Sequence, residues 1–134
     1  MNGLFLALLI SIFSLPHICS AQQNGAEFRL CDFTTKHISL ARLKKLPEDA
    51  CEKVTYKDAE GNELEILSYS FAIAPKNGGD AYFEMVSGNQ LTTNIKERLK
   101  SAKANDLVVI SSVKCIAKNG KKTLINGQSY TIIP

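Results

Sequence analysis

Residues 94–110 read NIKERLKSAKANDLVVI, a charged segment of helical pattern that gives way within a few residues to an apolar segment of strand pattern. Ile95, Leu99 and Ala102 recur at i, i+4 and i+7, which draws a narrow apolar stripe along a helix over residues 94–103. Lys96, Arg98, Lys100 and Lys103 occupy the other sides, and the last turn carries cations where the helix dipole favours them. Asn94 followed by Glu97 has the form of a capping box, with Thr92 and Thr93 also acceptable as caps. A helix of about ten residues is marginal alone in water, so this one must dock through its stripe. Asn105-Asp106 then turns the chain, and residues 107–117 read as a long strand in which Val109→Asp is expected to unfold the domain.

On the N-terminal side, residues 65–74 (EILSYSFAIA) give the clearest strand pattern. Leu67, Tyr69, Phe71 and Ile73 share the face that carries the large residues, and Ile66, Ser68, Ser70, Ala72 and Ala74 share the other. Pro75 ends the strand, KNGGD at 76–80 turns the chain, and residues 82–86 form another strand on which Glu84 is read as exposed. Residues 28–33 and 51–56 are strand-like, DAEGNE at 58–63 is a turn, and residues 38–47 read as a strand followed by an irregular turn, with one turn of helix ending before Pro47 as the alternative. On the C-terminal side, Asn119-Gly120 is a strong hairpin signal, and Asn126-Gly127 marks a bulge or second turn inside a last strand over 123–133. Several strands, one helix and a strand hairpin predict an all-β, mainly antiparallel β-sandwich with one helical crossover, built as a single domain over residues 22–134. The helix bridges strands across or between sheets.

The first residues set the compartment. MNGLFLALLISIFSLPHICSA holds an apolar run over residues 4–15, then Pro16, then the small-residue site Cys19-Ser20-Ala21. This is the pattern of a secretory signal over residues 1–21, although no Lys or Arg precedes the apolar run. The product is expected to be periplasmic or secreted, with no stable membrane span after cleavage. Sixteen basic and thirteen acidic residues are well interspersed, a balance that favours solubility and gives no nucleic-acid stripe. Cys31, Cys51 and Cys115 remain after processing, so at most one internal disulfide forms and one thiol is spare. Three pairings are open. Cys31 with Cys51 is the candidate disulfide, in the polar half where a staple is most useful, and Cys115 in its apolar pattern is the candidate buried free thiol.

The second half of the chain resembles a known domain. SYSFAI at 68–73, SGNQLT at 87–92, the short helix, LVVI at 107–110 and Asn119-Gly120 through YTII at 130–133 are similar in spacing to the C-terminal domain of GldM, of the gliding-motility and type IX secretion machinery of Bacteroidetes. The resemblance covers residues 66–133. It implies an immunoglobulin-like β fold that works in the periplasm by protein–protein contact, here as a stand-alone module. Ala104-Asn105-Asp106 stands where a Pro-Gly-Asp-like turn is expected, and Asp106 keeps the last position.

The residues offer little catalytic chemistry. His37 follows Cys31 by six positions without a third orienting group, no metal-ligand spacing occurs, and no cofactor motif is present. DAEGNE has oxygen ligands near a glycine but not the spacing of a calcium loop. Lys114, Lys118, Lys121 and Lys122 cluster around the Asn119-Gly120 hairpin and are the candidate partner-binding residues, against the plainer reading that they guard a sheet edge. The expected function is a non-catalytic envelope module that binds another envelope protein. A small exported enzyme or enzyme inhibitor is the alternative, and a self-associating structural homo-oligomer is the second alternative.

Overall fold

Two long strands organise the molecule, as seen in a computed structural model that describes residues 25–134. The expected signal segment, residues 1–21, lies outside the described residues. In chain order the elements are β1 (Glu27–Leu30), β2 (His37–Ser39), α1 (Leu40–Lys45), β3 (Val54–Lys57), β4 (Glu63–Ala74), β5 (Tyr82–Ser87), α2 (Thr93–Lys100), β6 (Leu107–Ile116), β7 (Lys122–Ile125) and β8 (Gln128–Ile133), with a 3-10 turn at Glu48–Ala50. Hydrogen bonding runs β1-β3-β4-β6-β8-β2, with β5 added to β4 and β7 to β6, so one curled, mixed sheet contains every strand. The class is all-β, as the sequence predicts. Every pairing is antiparallel but β2 with β8.

The central pair is β4 with β6. Their register shifts twice, between Ile66 and Ser68 and between Ser68 and Ser70. The first shift inserts a residue into β4 and the second inserts one into β6, so the pairing beyond the bulges returns to its original register. Each insertion reverses the side-chain alternation of its strand. Ile66 is therefore buried along with Tyr69, Phe71 and Ile73, while Leu67, expected on the core face, is only half-buried. In β6, Ser112 takes a positive φ of 51° at the bulge, and Val108, Ile110, Val113 and Cys115 face inward. Val109 is half-buried on the outer face, so it is not the core position expected of it.

β7 and β8 pair with opposite ends of β6 in one register, as halves of a strand interrupted at Asn126-Gly127. A Cβ at Gly127 would collide with the Ile110 carbonyl, so the close approach demands glycine. The helix between β5 and β6 has a topological reason. Both strands pair antiparallel with β4 on opposite edges, so they run parallel to each other and need a crossover rather than a hairpin. α2 supplies it, burying Ile95 and Leu99, with Ala102 just beyond its end also buried. Its cap is Thr92, whose hydroxyl accepts from the Ile95 N–H at 3.2 Å; Asn94 lies inside the first turn and does not cap.

A second helix, α1, replaces the irregular turn expected after residue 38. Ser39 caps it, accepting from the Arg42 N–H at 3.4 Å, and Leu43 is its buried residue. The Arg42 guanidinium pairs with Asp32 at 2.8 Å and stacks 5.1 Å from the Phe33 ring centroid. Cys31 and Cys51 are disulfide-bonded, tying the end of β1 to the 3-10 turn, and Cys115 is a free, buried thiol. Asp106 joins three segments. Its carboxylate accepts from the N–H groups of Lys76 at 3.3 Å and Lys103 at 2.9 Å, and its carbonyl accepts from the Ile132 N–H at 3.0 Å. The buried side chains of both helices and of all strands but β7 form one cluster, with the Tyr130 hydroxyl enclosed beside the Leu30 backbone and lacking a completed hydrogen bond.

Two substitutions test this architecture. Gly127→Ala should lower stability by about 1–3 kcal/mol in a urea titration, because backbone must move to admit the methyl group. Ile110→Asp should leave no cooperative unfolding transition, since it places an unpaired charge in the core, whereas Val109→Asp should unfold cooperatively like the parent.

Candidate functional site

The four candidate lysines separate into two pairs. Lys114 on β6 lies opposite Leu124 on one side and Ser68 on the other, and Lys122 lies opposite Ile116, so both project from the outer face of the sheet. Lys118 and Lys121 sit in the turn between β6 and β7, where the Gly120 N–H donates to the Ala117 carbonyl at 2.8 Å and Gly120 has a φ of 80°. Asn119 accepts from the Lys121 N–H at 3.0 Å, which is how Asn-Gly makes this hairpin. Among the described residues the ion pairs are Arg29–Glu27, Arg42–Asp32 and Lys100–Glu48, so none of the four lysines is paired.

The outer face also carries apolar side chains that the sequence pattern did not single out. Phe83, Met85 and Leu124 are 61%, 76% and 67% exposed. Phe83 and Met85 alternate with Tyr82, Glu84 and Val86 along β5, and the inner set was the less obvious one because it includes a carboxylate. Ser68, Ser70 and Ser112 lie between the two edge strands and line a hollow of 430 Å³, with Met85 and Leu124 at its sides and Lys114 between Ser68 and Leu124. Small residues in the middle and large ones at the flanks make the concavity.

Glu84 is not the exposed residue expected from the pattern. Its two carboxylate oxygens accept from the Tyr82 hydroxyl and the Thr92 hydroxyl, each at 2.5 Å. Thr92 also caps α2, and the Arg98 guanidinium of α2 stacks 4.6 Å from the Tyr82 ring centroid. This cluster clamps the helix to β5. Hydrogen bonds from Thr92 and then Tyr82 hold the Glu84 carboxyl below the usual carboxylate range, while the bond to Glu84 pushes the Tyr82 phenol up.

The other residues considered from sequence have structural partners. Cys31 is in the disulfide and offers no thiolate beside His37, which is exposed at the start of β2. Asp58 closes the β3–β4 turn, accepting from the Asn62 N–H at 2.9 Å and the Glu60 N–H at 3.0 Å. Those bonds, the Asn62 one foremost, hold its carboxyl low, with a smaller pull from Lys118. Among the described residues no group of His, Cys, Asp and Glu is placed to hold a metal ion. A second hollow, of 270 Å³, lies between the helices against Leu43, Leu46, Pro47 and Leu99, and its rim mixes Lys96 and Lys100 with Glu48 and Glu97. Comparison with protein-family models, curated proteins and solved structures gives no match.

The Glu84 clamp makes a signed prediction. A carboxyl depressed in the folded state stabilises the fold above its ordinary pKa near 4.5, and that contribution is lost as pH falls through the lower native value. Urea midpoints should therefore drop more steeply below about pH 4.5 in the parent protein than in Glu84→Gln, with the two curves converging at the acid end.

Proposed function

We propose that this chain is a non-catalytic protein–protein interaction module of the cell envelope, exported to the periplasm or secreted, which binds another envelope protein through the outer face beside the basic hairpin. The observation that carries this reading is the composition of that face. Three large apolar side chains stand largely exposed on it, next to lysines that form no ion pair among the described residues. Exposed apolar patches mark contact surfaces, and lysines beside them favour and steer a partner of opposite charge.

The disposition of the reactive groups supports a binding role. The Cys31 sulfur, the Glu84 carboxylate and the Asp58 carboxylate each have a partner that holds the fold together. A disulfide suits an oxidising compartment, in keeping with the signal pattern of residues 1–21. The spacing resemblance to the terminal domain of GldM agrees with a contact role, and membership of a gliding or secretion assembly is part of the proposal.

Cross-linking the tagged protein in its native envelope tests the reading. A reproducible partner is expected, and the Lys121→Glu/Lys122→Glu double variant should remain folded and recover several-fold less of it. Undiminished capture by the double variant would count against the basic hairpin. Enrichment of type IX secretion components would support the family role, whereas homo-oligomers alone would favour self-association.

A further inference from the structure

Resting on the interaction reading, we propose that the hollow of the outer face is a seat for one amphipathic α-helix of a partner protein, with acidic residues flanking its apolar stripe. The first ground is geometric. Met85 on β5 and Leu124 on β7 are separated by β4 and β6, three strand spacings or about 14 Å between strand axes. That leaves a trough matched to a helix about 10 Å across. Ser68, Ser70 and Ser112 line its floor with short side chains that let a helix backbone approach, and Lys114, between Ser68 and Leu124, adds one cation to it.

The second ground is hydrogen bonding. The floor strands β4 and β6 already pair on both edges, so they offer side chains and no free ladder to an incoming strand. A helix satisfies its own backbone and needs only a face to bury, which is the groove mode of peptide recognition. The apolar walls supply that face.

The third ground is charge. Lys114 lines the hollow between Ser68 and Leu124, and Lys122, Lys118 and Lys121 continue beyond it, with Glu65 in the Lys122 row and Asp58 near Lys118 as the acidic groups. The balance is positive and unpaired, which favours carboxylates on the incoming helix and steers its approach. An anionic membrane also offers negative charge and an apolar interior, but a planar surface cannot enter a recess walled on both sides.

The test uses a synthetic helix-forming peptide with a leucine stripe flanked by glutamates, titrated against the protein while NMR signals of the Met85 and Leu124 methyl groups are followed. Saturable shifts of both methyls are expected. A peptide of the same composition in scrambled order should bind at least about tenfold more weakly, and so should Met85→Ser and Lys114→Glu with the original peptide, as for anchors of an interface. Lys44→Glu, on α1 and away from the face, should change affinity little. Equal binding of the scrambled peptide overturns the proposal in favour of diffuse charge attraction. Lysine-dependent binding to phosphatidylglycerol vesicles without peptide binding overturns it in favour of a membrane, and methyl shifts that depend on protein concentration alone overturn it in favour of a second copy. A partner cross-linked in the envelope through residues outside the trough removes the helix seat while leaving the interaction module intact.

Discussion

The pairing of β4 with β6 is the constraint on which the rest of the structure depends. Each of these strands is long enough to carry two shorter ones on its outer edge, β3 and β5 on one side and β7 and β8 on the other. Two offset bulges bend them together without changing their register. A bent central pair lets the sheet curl until its ends share one core, as the common burial of Phe28, Val54, Tyr130 and Ile132 requires. The same bulges place serines on the convex side, which is why the outer face is recessed where its neighbours are bulky.

Around that pair, the short elements are held by polar anchors more than by propensity. α2 is fixed by the buried Ile95 and Leu99 below and by the Thr92–Glu84–Tyr82 bonds at its start. α1 is too short to persist alone, and Arg42 ties it to Asp32 and Phe33. Asp106 collects the turn after β4, the end of α2 and the last strand at a single carboxylate and carbonyl. Hydrogen bonds of this kind contribute about 1 kcal/mol each in net terms, but an unmet buried donor costs more, so their removal is felt across several segments at once.

Much of this was legible in the sequence because most of the strands obey local rules. The apolar stripe of Ile95, Leu99 and Ala102, the Asn119-Gly120 turn and the Asn126-Gly127 interruption are each written in a few adjacent residues. The exchange of Ile66 for Leu67 was not legible, because a bulge depends on the partner strand, and nothing within EILSYSFAIA announces it. α1 was only the alternative reading, because Ile38, Leu40 and Arg42 alternate as a strand would, and the anchor of Arg42 at Asp32, ten residues away, is not written in the local pattern. Glu84 faces inward against the strand pattern because two hydroxyl donors meet its carboxylate, and one of them, Thr92, arrives from the next element.

The sequestered thiol of Cys115 bears on the durability of the Cys31–Cys51 bridge. A free thiol can scramble a disulfide in the same chain, because exchange proceeds through a thiolate attacking a disulfide sulfur. Burial both hides this sulfur and pushes its pKa up, so the attacking species is scarce and screened. Cys115 lies on β6 and is enclosed by the core that nearly all the strands share, so it is exposed only when that core opens. Exchange between Cys115 and the Cys31–Cys51 bridge therefore requires the sheet around Cys115 to open first, so its rate follows local unfolding and not the thiol alone.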